Sequence, residues 1–162
     1  MRWILSVLLL FFLFIGCNKT NDLGLDNNLS GCPINSNCIY TYLDNADLSQ
    51  NTGVVSGNFR VFNYQVLNSK ICDLTTGLYF KVPIFNNNFV IDANQIETNN
   101  TVIYYYSCIC CDFLANIHPI GGTIKGKIIR PNQWLINANV IVGLSNDKPL
   151  DTIVVNQYFT KK

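Results

Sequence analysis

Two hydrophobic patterns divide the chain. Trp3 to Ile15 form an almost unbroken apolar run behind one charge, Arg2. From Cys38 onward apolar and polar residues alternate, and a period of two sends successive side chains to opposite faces of a strand. In Asn58–Val66, the residues Phe62, Tyr64 and Val66 share a side, and in Leu78–Ile84 so do Leu78, Phe80, Val82 and Ile84. Asn86 to Asn88 read as a turn into Phe89–Asp92. Thr101–Cys111 is rich in aromatic and β-branched residues, as strands are. Thr123–Arg130 alternates with Lys125 and Lys127 on one face, and Pro131-Asn132 is a turn signal. Trp134–Leu144 places Trp134, Ile136, Ala138, Val140 and Val142 opposite Asn137 and Asn139. Ser145–Lys148 reads as a loop and Thr152–Phe159 as a last strand. No stretch has a convincing period of 3.6, although a short helix or turn fits Phe113–Ile117. The expectation is an all-β fold: a single antiparallel β-sandwich or barrel-like domain of about eight strands.

The apolar run is too short for a membrane span. Trp3 to Gly16 is fourteen residues, roughly 21 Å as a helix against a hydrocarbon core of about 30 Å. No basic cluster follows it. One positive charge, an apolar stretch and a small residue make the layout of a secretory signal peptide. Its ending, Phe14-Ile15-Gly16-Cys17, resembles the lipobox of bacterial lipoproteins. That resemblance covers residues 1–17. It implies cleavage before Cys17, palmitate and further acylation on that cysteine, and attachment to the cell envelope. Asn18 stands where Asp would imply retention in the inner membrane, so the resemblance points to the outer membrane. Residues 1–16 are then the signal, and residues 17–30 a lipidated N-terminus with a polar, aperiodic tether expected to be flexible. Residues 31–162 are the β domain.

Without residues 1–16 the chain has 146 residues, enough for one domain with a core. Without Arg2, ten basic side chains face ten acidic ones. This balance gives neither the basic footprint of a nucleic-acid binder nor a polybasic membrane patch. The membrane partner is expected through Cys17 alone. Asn is abundant, which favours turns over helices.

Six cysteines follow Cys17: Cys32, Cys38, Cys72, Cys108, Cys110 and Cys111. An even number in an exported domain suggests disulfides, whose pairing the sequence leaves open. Cys110 and Cys111 point to opposite faces of a strand and are poor mutual partners. The most economical arrangement sends the 108–111 cluster to Cys32, Cys38 and Cys72, closing loops of tens of residues. The alternative is a metal site of Cys108, Cys110, Cys111 and His118. The Cys-x-Cys-Cys spacing lacks the paired Cys-x2-4-Cys of structural zinc, so no metal and no cofactor is expected.

Catalytic chemistry has few candidates. His118 and Glu97 are the only residues of their types. There is no Gly-x-Ser-x-Gly, no His-Glu-x-x-His and no phosphate loop. Asp44 and Asp47 fall in an Asn/Asp-rich stretch that reads as a loop. An enzyme would have to work through His118 with a nearby Asp or Cys. Binding is easier to place. Tyr104 and Tyr106 share one strand face, Tyr40 and Tyr42 another, and aromatic faces flanked by Asn and Asp suit sugars. Core packing with the hydroxyl at the rim serves the same tyrosines equally well. Asp151-Thr152-Ile153 resembles a short bacterial O-glycosylation signal, with Thr152 as acceptor. The expectation is a lipid-anchored envelope protein with a non-catalytic binding or structural domain, its partner an envelope protein or glycan.

Overall fold

The computed structural model describes residues 23–162, apart from 26, 51–52, 72, 99 and 111–115. The expected signal segment, Cys17, Cys72, Cys111 and most of the expected helix or turn at Phe113–Ile117 lie outside the described residues. Among the described residues nine strands and one helix follow in chain order: β1 (Asn37–Ser49), β2 (Gly53–Ser56), β3 (Phe59–Asn68), β4 (Leu74–Pro83), β5 (Asn88–Ile91), α1 (Ala93–Thr98), β6 (Val102–Ser107), β7 (His118–Arg130), β8 (Gln133–Gly143) and β9 (Pro149–Lys161).

The all-β expectation holds, and between sandwich and barrel the chain takes the barrel-like form. All nine strands belong to one sheet, ordered β5-β7-β8-β9-β1-β3-β4-β6, with β2 also on β1. The sheet curls into a half-barrel whose edges, β5 and β6, do not pair with each other. Every pairing is antiparallel except β1 with β9, which touch in parallel only at Thr41↔Thr160 and Tyr42↔Lys161.

Alternation decides which side is concave. Phe62 and Tyr64 of β3, Leu78, Phe80 and Val82 of β4, and Trp134, Ile136, Ala138, Val140 and Val142 of β8 point inward and are buried. At the centre Phe62 stacks on Phe80 (5.0 Å between ring centroids) and meets Trp134 and Phe159 edge-on at 5.5 and 5.8 Å. Such ring pairs add to the area they bury. Gly126 makes room for this packing, because a Cβ there would lie 2.4 Å from the ring of Phe89.

Asp44 and Asp47 do not sit in a loop; both belong to β1. Between Leu43 and Ala46 the register with β3 slips, and Asn45 takes a left-handed φ of 56°. The resulting bulge bends β1. Its acids are ion-paired: Asp44 with Arg60 (2.6 Å) and Lys161 (2.9 Å), Asp47 with Lys81 (2.6 Å). These pairs mark one end of the half-barrel.

Helix α1 was not anticipated from periodicity. It is held by a capping box at its start: Gln95 N donates to Asp92 Oδ1 (2.9 Å) and Asp92 N donates to Gln95 Oε1 (3.1 Å). Its one buried residue, Ile96, joins the core from the open side.

Chain contacts with the domain begin upstream of Gly31. Asn156 Nδ2 donates to Asn28 O (2.7 Å), Asn156 N to Ser30 Oγ (2.8 Å), and Ser30 N to Asn156 O (2.8 Å). Lys125 Nζ donates to Leu23 O at 3.1 Å. Asn156, Asn137 and Lys125 are successive cross-strand partners on β9, β8 and β7. Within the stretch read as a flexible tether, Leu23, Asn28 and Ser30 are therefore docked as a strap across the outer face of the sheet.

Candidate binding groove

The lower half of the half-barrel is filled by aromatic rings, and the upper half is not. The inward positions nearest the start of β1 and the end of β3 are smaller or more polar. Val66, Thr76, Asp151 and Ile153 stand there, with Tyr104 and Tyr106 on β6. They border two adjoining hollows of ≈ 470 and ≈ 350 Å³ that share Thr76, Asp151 and Ile153. A third hollow of ≈ 490 Å³ shares Tyr104 and Ile117 and runs under α1 to Glu97 and His118. Together they form a groove between edge strand β6 and the opposing β7–β9 wall. Apolar side chains and polar groups line it in comparable shares, the polar ones mostly towards Glu97 and His118, and a concave site of this size can take a ligand.

The groove exists because β6 pairs only with β4, through Leu78↔Tyr104 and Thr76↔Tyr106. The tyrosines therefore project into the concavity beside β9. The rings of Tyr104 and Tyr106 lie 6.1 Å apart. Burial, then the charge of Asp151, then Tyr106 push the Tyr104 hydroxyl above its ordinary value. Burial, with Tyr40 beside it, pushes Tyr64, at the groove's far end, up to about 12. Both phenols stay neutral donors across physiological pH.

The tyrosine expectations separate. Tyr104 and Tyr106 share a face as the alternation requires, but they form a half-buried groove wall and not a flat exposed platform. Tyr42 is only 3% exposed and packs on Phe62. Tyr40 stacks on Tyr64 at 5.4 Å and meets Phe159 edge-on. A sugar platform on Tyr40 and Tyr42 is thereby excluded, because their shared face is the core face. Tyr105, on the opposite face, stacks on Tyr79 (4.6 Å) and donates to Asn63 Oδ1 (3.1 Å). Thr152 is exposed on β9 beside the groove.

Cys32 and Cys38 do not pair with the 108–111 cluster, as the economical arrangement had them; its link to Cys72 lies outside the described residues. Cys32 and Cys38 bond to each other, with Cα atoms 5.8 Å apart. The turn through Pro33 and Ser36 brings them together locally, where Ser36 N donates to Pro33 O. Cys108 and Cys110 are also disulfide-bonded. This withdraws two sulfurs from the alternative metal site. Among the described residues no group of His, Cys, Asp and Glu is arranged to hold a metal ion.

His118 opens β7 at the other end of the groove. Its Nε2 lies 3.5 Å from Asp147 Oδ1, and Glu97, Asp147 and His118 border a further hollow of ≈ 340 Å³. Sequence reasoning did not bring Glu97 to this place, because α1 carries it there and α1 was not foreseen. The Asp147 side chain is 82% exposed. A working His–Asp pair needs a contact of about 2.6–3.2 Å from an oriented carboxylate, and this pair lacks both. His118 Nδ1 is buried without a hydrogen-bond partner among the described residues. No family model, curated protein or solved structure matches the chain.

Proposed function

We propose that the chain is a lipid-anchored protein of the bacterial outer membrane whose half-barrel is a non-catalytic binding module. Cys17 carries the lipid, and the groove lined by Tyr104, Tyr106 and Asp151 takes the ligand. One observation carries the binding part: the concave face stays open where the sheet fails to close, and two aromatic residues wall the opening. Neutral phenols, Thr76 and Asp151 suit a ligand that offers hydroxyl or amide groups beside an apolar face. A glycan is the leading class of that kind.

The test is binding by residues 18–162, on a glycan array and in pull-downs from envelope extracts. Saturable binding is expected, weakened about tenfold or more by Tyr104→Ala with Tyr106→Ala, as for aromatic anchors of an interface. Binding unchanged in that variant contradicts the groove. A second reading, an enzyme at His118, is favoured by the convergence of Glu97, His118 and Asp147 on one hollow. Turnover by wild type that disappears in His118→Ala would replace the proposal with it.

A further inference from the structure

On the inward row of β9 an acid stands where its neighbours are apolar. Direct partners on antiparallel strands share a face. Asp151, opposite Val142, and Ile153, opposite Val140, therefore point to the concave side, and Val155 and Phe159 continue the row into the core. Asp151 puts a carboxylate at the mouth of the groove, on the border of both adjoining hollows. Its Oδ1 accepts from Thr152 N at 2.7 Å. Among the described residues no cation pairs with it.

The strand acids at the other end of the half-barrel are matched. Asp44 holds Arg60 and Lys161, and Asp47 holds Lys81. In the groove the matching is missing. Glu97 borders the hollow under α1, and among the described residues it too has no cation. No Lys or Arg among the described residues borders these hollows or the one beside His118. Lys70 and Lys148 stand outside them, in the β3–β4 and β8–β9 connections. His118 can take a positive charge, but it faces Asp147 at 3.5 Å. A cleft lined by one sign of charge focuses its field on whatever enters.

The aromatic wall lies beside this charge. Tyr104, Tyr106 and Asp151 border the same hollow. Burial first, then the charge of Asp151, raises the Tyr104 hydroxyl, which places the carboxylate close to that ring. A ring face attracts a cation through its quadrupole, and a carboxylate next to it attracts the same cation by charge. A neutral sugar uses none of this field, and an anionic one is repelled by it. We propose, on the reading of the groove as the binding site, that its ligand is a glycan with free amino groups, one ammonium of which sits between Asp151 and the rings of Tyr104 and Tyr106. Glu97 adds to the field from under α1, and Thr76 and the phenols take sugar hydroxyls.

The test is calorimetric titration of the full chain, held in a polyoxyethylene detergent, with a glucosamine tetramer and with the same tetramer N-acetylated. Acetylation removes the charge and keeps the sugar backbone. The amine form is expected to bind at least about tenfold more tightly, with a preference that shrinks as salt rises. Asp151→Asn keeps the shape of the side chain and should abolish the preference. Asp73→Asn, in the β3–β4 connection outside the hollows, should keep it. Equal or tighter binding of the acetylated form overturns the ammonium; if Tyr104→Ala with Tyr106→Ala weakens that binding, the groove reading stands. A preference that survives Asp151→Asn overturns the place assigned to the ammonium. Binding of neither tetramer overturns the proposal, as does pentalysine that binds as tightly as the amine form, since charge alone then suffices. An amine preference untouched by the tyrosine variant removes the groove reading as well.

Discussion

Arg60 reaches from β3 into a site made of two aromatic faces and an acid. Its guanidinium carbon lies 4.9 Å from the Trp134 ring centroid and 5.2 Å from that of Tyr42, and its Nε is 2.6 Å from Asp44. The Arg60 and Asp44 side chains are 12% and 15% exposed. Burial works against the Asp44 carboxylate, but the hydrogen bonds and charges of Arg60 and Lys161 outweigh it and hold its pKa below the ordinary 3.8. A carboxyl whose pKa falls on folding stabilises the protein above the unfolded value, and that contribution is lost as pH drops through the folded value. Asp44→Asn leaves Arg60 charged and unpaired. It should lower the unfolding free energy by about 3 kcal/mol at pH 7, measured in urea. The gap from wild type should close as pH falls below the ordinary carboxyl range. A gap independent of pH would assign the loss to packing. None of this pairing was legible in the sequence. Asp44 and Asp47 stand among Asn and Asp residues that favour turns, and only the bulge at Asn45 keeps them inside a strand. The sharing of a face by Tyr104 and Tyr106 was legible, because alternation fixes it. Which face is concave was not, since Tyr105 on the other side is aromatic too.

At the scale of elements, the strands were legible and their ends less so. The alternating runs from Phe62, Leu78 and Trp134 each became an inward face of the barrel. The helix α1 escaped a search for period because its six residues complete fewer than two turns. Its start was nonetheless written in the sequence as Asp92-x-x-Gln95, a capping box. Asp92→Ala should cost about 1 kcal/mol, read by chemical unfolding, with faster hydrogen exchange in 93–98. The strap was hidden for a different reason. Polar, aperiodic residues look like linker, and what docks them are Lys125, Asn156 and Gln157, far away in the chain. Asn156→Ala removes the side-chain bond to Asn28 O. Limited proteolysis of residues 23–30 should then accelerate about tenfold, while an unchanged cleavage rate would mean that backbone contacts alone hold the strap. The Cys32–Cys38 loop is short, with a sequence separation of 6. Cys32→Ser with Cys38→Ser should therefore cost only about 2 kcal/mol, less than the long loops expected from the sequence would have implied.

At the scale of the whole molecule, the sequence led to a single β domain but left its closure open. Sandwich and barrel share the same alternation, and the choice depends on which distant strands meet, here β1 with β9 in a brief parallel contact. The half-barrel places the aromatic core at its charged end and the groove towards the other. The proposed function sets strap and groove on a chain held by a lipid at Cys17. Among the described residues no helix is long and apolar enough to cross a membrane. The direct measurement is the intact mass, with N-terminal fragmentation, of the protein extracted from the membrane fraction of its native cells. The account predicts a chain that begins at Cys17 and carries acyl groups on that residue. A chain that retains residues 1–16, or one that begins elsewhere with an unmodified Cys17, would contradict it.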